Sequence, residues 1–264
     1  MHKISILACV AIAFVSCNNK NTTSGKDSAI VVDSTTLDFE PQEVAFNIQP
    51  ISHATMVLTW NGSVVYIDPV GGMAAFEGQA EPDIILVTDI HGDHFNIETL
   101  EIVVKEKTHL FAPQAVVDEL PEALRKKTMV LNNGNSANKL EFTITAIPMY
   151  NLPESEDSRH PKGRGNGYVI EKDKRRVYIS GDTEDIPEMR QLENIDIAFV
   201  CMNLPYTMTV ERAADAVLDF KPDTVYPYHY RGKDGLSDVD KFKRLVEMEN
   251  HDIKVTQLDW YPKK

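Results

Sequence analysis

One short stretch of the chain, residues 89–94, restricts its fold and its chemistry more than any other. Within six positions it holds four side chains that can bind a metal: Asp89, His91, Asp93 and His94. A β-branched apolar run of strand length, residues 84–87, comes directly before it, and Asn96 can cap a helix after it. Imidazole nitrogens and carboxylate oxygens are ligands of Zn²⁺, Mn²⁺ and Fe²⁺. The stretch therefore predicts a metal site where a strand gives way to a helix.

Two other strand-like segments also end in residues of metal-ligand type. Asp182 lies in a Gly-Asp-Thr triplet and His229 in a Tyr-His-Tyr triplet, and each triplet directly follows an apolar run. Strand ends at one edge of a sheet are where such sites assemble. We therefore expect both residues to face the 89–94 stretch.

Two more segments carry candidate site residues. His53 stands between two predicted strands, where it serves either the site or the core as a histidine with satisfied hydrogen bonds. The polar segment 150–167, rich in Gly and Pro, is a long loop of the kind that often carries function. It contains Asn151 and His160, which are either ligands or substrate contacts, or else solvated loop residues.

The order of predicted elements indicates an α+β fold. A block of strands is followed by two rounds of alternating strands and helices, which suggests a four-layer αββα sandwich of two sheets with helices outside. A loop is expected from Gly71 onward. The predicted strands are residues 46–51, 55–60, 63–68, 84–88, 109–112, 140–148, 168–171, 176–180, 197–201, 225–227 and 253–258. The predicted helices are 97–105, 114–120, a short one from 121, 186–192, 210–220 and 239–248.

Composition excludes some functions. The chain has 264 residues, 42% hydrophobic and 25% charged, so it can bury a substantial core as one large or two small domains. Its formal net charge of -13 counts against a nucleic-acid partner, because a phosphate-binding protein normally presents a basic face. A local basic patch remains around Arg159, Lys162 and Arg164.

The first 17 residues form a predicted lipoprotein signal peptide. Lys3 precedes an apolar run at 4–15, and the run ends in Ser16-Cys17, which resembles a bacterial lipobox. A plain secretory signal is the alternative. Residues 18–43 are predicted to be a flexible tether, and 44–264 the folded domain. The protein is then expected in the bacterial cell envelope, exported and anchored to the membrane by lipid on Cys17, with Cys201 as its free thiol.

The order of the motifs resembles the metallo-β-lactamase-fold hydrolase superfamily. It is Asp-x-His-x-Asp-His after a strand, then Gly-Asp-Thr, then a late Tyr-His. The nearer match is the branch of ascorbate-phosphate-lactonase-like and N-acyl-phosphatidylethanolamine-phospholipase-D-like proteins. Segments 53–55, 67–69, 165–168 and 206–208 are similar to that branch too, and the resemblance covers roughly residues 44–264.

The resemblance implies two metal sites. Asp93, His94 and His229 match the ligands of the second site, and Asp182 matches the residue that bridges the two. His91 matches a ligand of the first site.

The chain departs from the family pattern in the first site. Asp89 stands where the family has its leading histidine, and it can still ligate as an oxygen donor, although it can also be an ordinary turn residue. Asn151 stands where the family has a third histidine, and an amide is a poor ligand. His160 is the candidate replacement, at a spacing that is not the family's.

The implied function is a metal-dependent hydrolase of a small ester, lactone or phosphodiester. A divalent metal lowers the pKa of bound water to about 7, and the resulting hydroxide attacks the carbonyl or phosphoryl centre. Asp93 or Asp182 orients it, and a metal-bound water, His53 or Tyr206 protonates the leaving group; simple aromatic packing is the alternative for Tyr206. Zn²⁺ is the expected metal, with Mn²⁺ or Fe²⁺ as alternatives, in one or two copies.

Two other functions stay open. The departures at Asp89 and Asn151 allow a non-catalytic metal-binding lipoprotein, acting as a scaffold or a sensor. A nuclease of the ribonuclease Z type shares the fold, but the acidity and the expected export argue against it.

Overall fold

The computed structural model describes residues 45–262. The predicted signal peptide and tether, with Cys17, lie outside these residues. Cys201 is buried with a free thiol. No helix in this part of the chain is long and apolar enough to cross a membrane.

The described residues form two main sheets. The first has the order β1-β2-β3-β4-β5-β6 and the second β15-β12-β11-β10-β9-β8-β7, while β13 and β14 pair by themselves. The strands are β1 Phe46–Ser52, β2 Thr55–Trp60, β3 Ser63–Ile67, β4 Ile84–Leu86, β5 His109–Ala112, β6 Thr128–Val130, β7 Ser136–Lys139, β8 Phe142–Met149, β9 Gly165–Lys172, β10 Arg175–Ile179, β11 Ile197–Cys201, β12 Thr224–Tyr228, β13 Arg231–Gly232, β14 Gly235–Leu236 and β15 Lys254–Val255.

Helices cover the outer faces of the sheets. They are α1 Gly72–Ala75, α2 Ile97–Val103, α3 Gln114–Glu119, α4 Glu122–Arg125, α5 Pro187–Arg190, α6 Val210–Phe220 and α7 Val239–Glu249. As expected, Asn96 caps α2, and its side chain accepts a hydrogen bond from the Thr99 amide at 2.7 Å.

Alternation along the first sheet separates two hydrophobic clusters. Val65 and Ile67 point into the core shared with the second sheet, whereas Val64 and Tyr66 pack with residues of α2, α3 and α4. On the second sheet, Tyr178 of β10 meets Phe220 of α6, with their ring centroids 5.9 Å apart. The layers are therefore helix, sheet, sheet and helix, and the predicted four-layer αββα sandwich is confirmed.

The Asn61-Gly62 turn shows how local sequence fixes part of this fold. Both residues have positive φ, 46° and 81°, and they join β2 to β3 with Trp60 paired to Ser63. An Asn-Gly pair tolerates these angles at low cost, and they match the twist of a hairpin.

Two local predictions are wrong. The expected loop after Gly71 contains α1, because Phe76 stacks on Tyr66 with their centroids 4.8 Å apart and closes a helical turn. The expected last strand 253–258 is reduced to β15. Trp260 packs edge-on against the ring of Tyr228 and draws the chain away from the edge of the sheet.

Strands β6, β7, β13 and β14 were not predicted from the sequence. These strands are two to four residues long and lie at sheet edges or in an isolated hairpin. Segments this short do not show a recognisable alternation of apolar and polar residues.

Candidate metal centre

Strand ends from both sheets deliver the candidate ligands to one place. Residues 87–94 follow β4 of the first sheet, while Asp182 and His229 follow β10 and β12 of the second. His229 adopts a left-handed backbone, with φ of 45°, directly after its strand ends. The 89–94 stretch therefore faces both later motifs, as their positions at strand ends led us to expect.

The four residues called here the second site are Asp93, His94, Asp182 and His229. The Nε2 atom of His94 lies 3.1 Å from His229 Nε2 and 3.3 Å from Asp182 Oδ2. The Nε2 atom of His229 lies 3.2 Å from Asp93 Oδ2 and 3.3 Å from Asp182 Oδ1. Two atoms about 2.0–2.1 Å from one Zn²⁺ in tetrahedral geometry are about 3.3 Å apart. The observed separations therefore fit donor atoms that share one ion.

Asp68 fixes the orientation of His94. Its Oδ2 lies 2.8 Å from His94 Nδ1, and Thr88 donates to both carboxylate oxygens from its amide and its hydroxyl at 2.7 and 2.6 Å. With the Nδ1 proton donated to Asp68, His94 presents its Nε2 lone pair to the centre. Asp68 was not predicted to belong to the site. Its signals in the sequence were its position at the end of a predicted strand and the resemblance of segment 67–69 to the family branch.

The charges of the second site call for a cation. Burial alone would raise the pKa of Asp182, but the neighbouring His229 and His94 hold it well below its usual range. Asp93 behaves in the same way: burial opposes ionisation, but His229 and His94 lower its pKa. Burial would lower the pKa of His94, but Asp182 and Asp68 raise it well above the ordinary value. Both Asp182 and Asp93 stay ionised, and a divalent cation would take the place of the histidine proton.

The three residues called here the first site are Asp89, His91 and His160, with Asp182 at the boundary between the sites. The Nδ1 atom of His91 lies 2.8 Å from Asp89 Oδ2. The Nε2 atom of His160 lies 3.2 Å from Asp182 Oδ2 and 3.9 Å from Asp89 Oδ2. The interpretation of His160 as a solvated loop residue is wrong, since its side chain is 0% exposed.

Asn151 supports His160 and does not itself face the centre. Its Oδ1 accepts from the backbone amide of His160 at 2.8 Å and lies 3.2 Å from its Nδ1. Its Nδ2 donates to the Tyr206 carbonyl oxygen at 2.8 Å. The reading of Asn151 as a solvated loop residue is therefore also wrong. The amide holds His160 where its Nε2 lone pair points inward.

Arg164 occupies the far side of Asp89. Its Nη2 and Nε donate to the two oxygens of that carboxylate at 2.8 and 3.1 Å, and Nη2 lies 3.4 Å from His91 Nε2. Burial would raise the pKa of Asp89, but His91, His94 and Arg164 lower it. The guanidinium thus neutralises a buried carboxylate inside the first site. From the sequence, Arg164 was assigned only to a local basic patch and not to the metal site.

Buried atoms without hydrogen bonds test whether these residues fit a metal. Among the described residues, His160 Nε2, His91 Nδ1 and Asp182 Oδ1 are buried and make no hydrogen bond of good geometry, although each lies 2.8–3.3 Å from another candidate ligand. The donor atoms of Asp89, His91 and His160 lie within 4.8 Å of one another, and so do those of His94, Asp182 and His229. Unsatisfied buried polar atoms are costly, and coordination of an ion would satisfy them. The residues present therefore fit a divalent metal.

The two candidate proton donors lie at the mouth of the centre. His53 and Tyr206 line a pocket of about 260 Å³ together with Asp93 and Asp182. His53 is half-buried, with its ring centroid 5.5 Å from that of His229, so it is not a core histidine. Burial and the nearby His229 lower its pKa.

Comparison with known proteins identifies related sequences. Residues 47–229 match the family described as the beta-lactamase superfamily domain. A UPF0173 metal-dependent hydrolase of Thermococcus onnurineus is 31% identical over 178 residues, which is 66% of this chain and 78% of that protein. A Pyrococcus abyssi relative with the same description is 28% identical over 74% of this chain and 90% of its own length.

Solved structures agree with this likeness. A candidate metal-dependent hydrolase from Parabacteroides distasonis is 36% identical with a TM-score of 0.73, covering 83% of this chain and 94% of its own. A metallo hydrolase from Ignicoccus hospitalis, at 24% identity and a TM-score of 0.67, covers 81% and 94% and shows the shared fold.

Proposed function

The chain belongs to the beta-lactamase superfamily of metal-dependent hydrolases, and from this premise we propose that it cleaves a small ester, lactone or phosphodiester at the centre described above. The resemblance to that superfamily is thus confirmed. The substrate class, the metal and the roles of single residues belong to the proposal.

One observation is the main support for the proposed hydrolase function. Asp93 and Asp182 line an open pocket, the buried His94 and His160 contact Asp182, and the buried atoms His160 Nε2 and Asp182 Oδ1 make no hydrogen bond of good geometry. Such a set holds an ion and leaves one side open to a ligand, as catalytic sites do and closed structural sites do not.

The metal and the protein have separate tasks. Zn²⁺, which the nitrogen and oxygen donors favour, would be held by the second site and by His91 and His160 of the first, and supplies a Lewis acid and a water of lowered pKa. Asp93, whose side chain is 40% exposed, accepts a hydrogen bond from the attacking water and orients it. Asp182, buried between the sites, keeps its negative charge and holds the histidines in register.

The leaving group needs a proton. The lowered pKa of His53 makes its ring a proton acceptor at neutral pH. A tyrosine hydroxyl can donate a hydrogen bond, and Tyr206 lines the same pocket, so it is the better donor of these two side chains.

Metal content and turnover test the proposal together. The purified protein should contain tightly bound Zn²⁺, Mn²⁺ or Fe²⁺ by elemental analysis. It should hydrolyse at least one member of a panel of nitrophenyl esters, lactones and bis-nitrophenyl phosphate, and chelator should abolish that activity. His94→Ala should lose metal and activity, whereas His251→Ala, at an exposed histidine outside the centre, should keep both. Bound metal without turnover of any substrate would favour a scaffold or sensor.

We also propose that the enzyme is exported and held at the bacterial cell envelope by lipid on Cys17. The support is the sequence pattern of residues 1–17. Labelled fatty acid should be incorporated into the wild-type protein and not into Cys17→Ala, which should leave the membrane fraction.

A further inference from the structure

We propose that Arg159, Arg231 and Lys233 form an oxyanion-binding subsite beside the metal centre, so that the substrate carries a carboxylate or a phosphate group. This inference rests on the proposed function, because it names the substrate class of the same site.

The subsite is one wall of the 260 Å³ pocket. Asp93 and Asp182 of the second site line the pocket, and so do all three of these cations. The remaining lining residues are His53, Asn203, Tyr206 and Gly232. A substrate whose scissile bond reached the metal would therefore place its other end among positive charges.

Aromatic rings hold the two guanidinium groups in place. The Arg159 guanidinium carbon lies 4.5 Å from the centroid of the Tyr206 ring. Arg231 stacks in the same way on Tyr261, at 4.4 Å. Such stacking leaves the planar edge of a guanidinium free to donate hydrogen bonds, and that edge matches the two oxygens of a carboxylate or phosphate.

The hairpin that carries Arg231 and Lys233 is fastened to the loop that carries Tyr206. The Lys233 amide donates to the Leu204 carbonyl oxygen at 2.9 Å. Gly232 packs so closely there that a Cβ atom would lie 1.9 Å from the same oxygen. Any larger residue would push β13 and β14 away from the pocket, so glycine is required for this approach.

Arg159, Arg231 and Lys233 have no carboxylate partner within the described residues, in contrast to Arg164, Arg190 and Arg212. Arg164, Arg190 and Arg212 each pair with at least one aspartate or glutamate. Among residues 45–262, no carboxylate oxygen lies within 4 Å of a side-chain nitrogen of Arg159, Arg231 or Lys233. In a chain of net charge -13, three unpaired cations around one pocket are well suited to attract an anion.

Anion binding by the metal-depleted protein tests the subsite without relying on turnover. In calorimetric titrations, inorganic phosphate or succinate should bind the wild-type chain, and binding should weaken at least tenfold in Arg231→Gln and in Arg159→Gln. Arg175→Gln is the matched control, since Arg175 stacks on Phe46 at 5.5 Å outside this pocket and should bind the anion as the wild type does. Phosphate binding alone would assign a phosphate-bearing substrate, and succinate binding alone a carboxylate. Binding of neither anion, or equal binding by all variants, would overturn the subsite.

A matched pair of esters then links the subsite to catalysis. For the metal-loaded enzyme, the ratio of kcat/KM for mono-nitrophenyl succinate to that for nitrophenyl butyrate should fall at least tenfold in Arg231→Gln and stay unchanged in Arg175→Gln. An unchanged ratio in Arg231→Gln would contradict the inference. If the metal-loaded enzyme cleaves no ester, lactone or phosphodiester of the panel while anion binding still depends on Arg231, the proposed function fails and the subsite stands.

Discussion

The two candidate metal sites meet at Asp182 but are built in different ways. In the second site, His229 directly follows β12, Asp93 and His94 lie in the segment between β4 and α2, and the buried Asp68 aligns His94. In the first site, His160 comes from a long loop, and the carboxylate of Asp89 is already paired with a guanidinium. The second site is therefore positioned mainly by segments that follow β-strands. The first site is completed by a loop histidine and by the guanidinium that neutralises Asp89.

The net charge of the Asp89–Arg164 pair explains how this pair can take the place of a histidine. The Asp89–Arg164 pair has no net charge, as a neutral histidine has none, and a histidine is what the family resemblance places at position 89. The pairing also weakens Asp89 as a ligand, because both of its oxygens accept hydrogen bonds from Arg164. We expect the second site to bind metal tightly and the first site to bind it more weakly.

The largest effect is expected where the two sites meet. Asp182→Asn removes the charge that His94, His160 and His229 all contact, so both sites should lose metal. We expect kcat/KM to fall about 10³-fold, in keeping with several kcal/mol of metal-derived stabilisation. Metal analysis and kinetics check this, with Asp215→Asn at an exposed carboxylate as the control. Two tightly bound ions in Asp182→Asn would show that the sites do not depend on it.

His160→Ala separates the two sites. Bound metal should fall from two equivalents to one, because only the first site loses a donor, and activity should fall about 100-fold. Elemental analysis gives the count, and His109→Ala, a histidine of β5 outside both sites, is the control. An unchanged count would mean that His160 supports the loop and does not bind metal.

Asp68→Asn tests the alignment of His94. The amide accepts the Nδ1 hydrogen bond less strongly, and we expect metal affinity at the second site to fall about 10–100-fold. Competition with a chelator of known affinity measures it. Thr55→Val is a milder neighbouring change, since the Thr55 hydroxyl bonds only to the Asp68 carbonyl oxygen. Equal losses in both variants would indicate general destabilisation.

The smallest expected effect is an increase in metal affinity. Arg164→Gln frees the oxygens of Asp89 and removes a positive charge from the first site. Affinity for the weaker ion should therefore rise about tenfold, roughly 1.4 kcal/mol. Arg159→Gln changes another arginine near the centre that does not contact Asp89, and it should leave both metal affinities unchanged. A loss of metal in Arg164→Gln would show that the guanidinium holds Asp89 in place as a ligand.

The site residues that could be predicted from the sequence are those marked by local patterns. Asp89, His91, Asp93 and His94 are close in the chain, and Asp182 and His229 follow apolar runs, so strand periodicity was enough to bring them together. The contact of Arg164 with Asp89 spans 75 positions, and that of His94 with Asp68 spans 26. Such contacts depend on tertiary packing, which no local pattern encodes. The support of His160 by Asn151 depends on the path of an irregular loop, which sequence periodicity does not describe.

Zinc titration of the metal-depleted wild-type protein, followed by anomalous diffraction from zinc-loaded crystals, tests the difference between the sites most directly. We predict one tight equivalent and one weaker by at least tenfold. The tight ion should lie among Asp93, His94, Asp182 and His229, and the weaker one among Asp89, His91, His160 and Asp182. A tight ion held by His91 and His160, with His94 and His229 empty, would contradict the account.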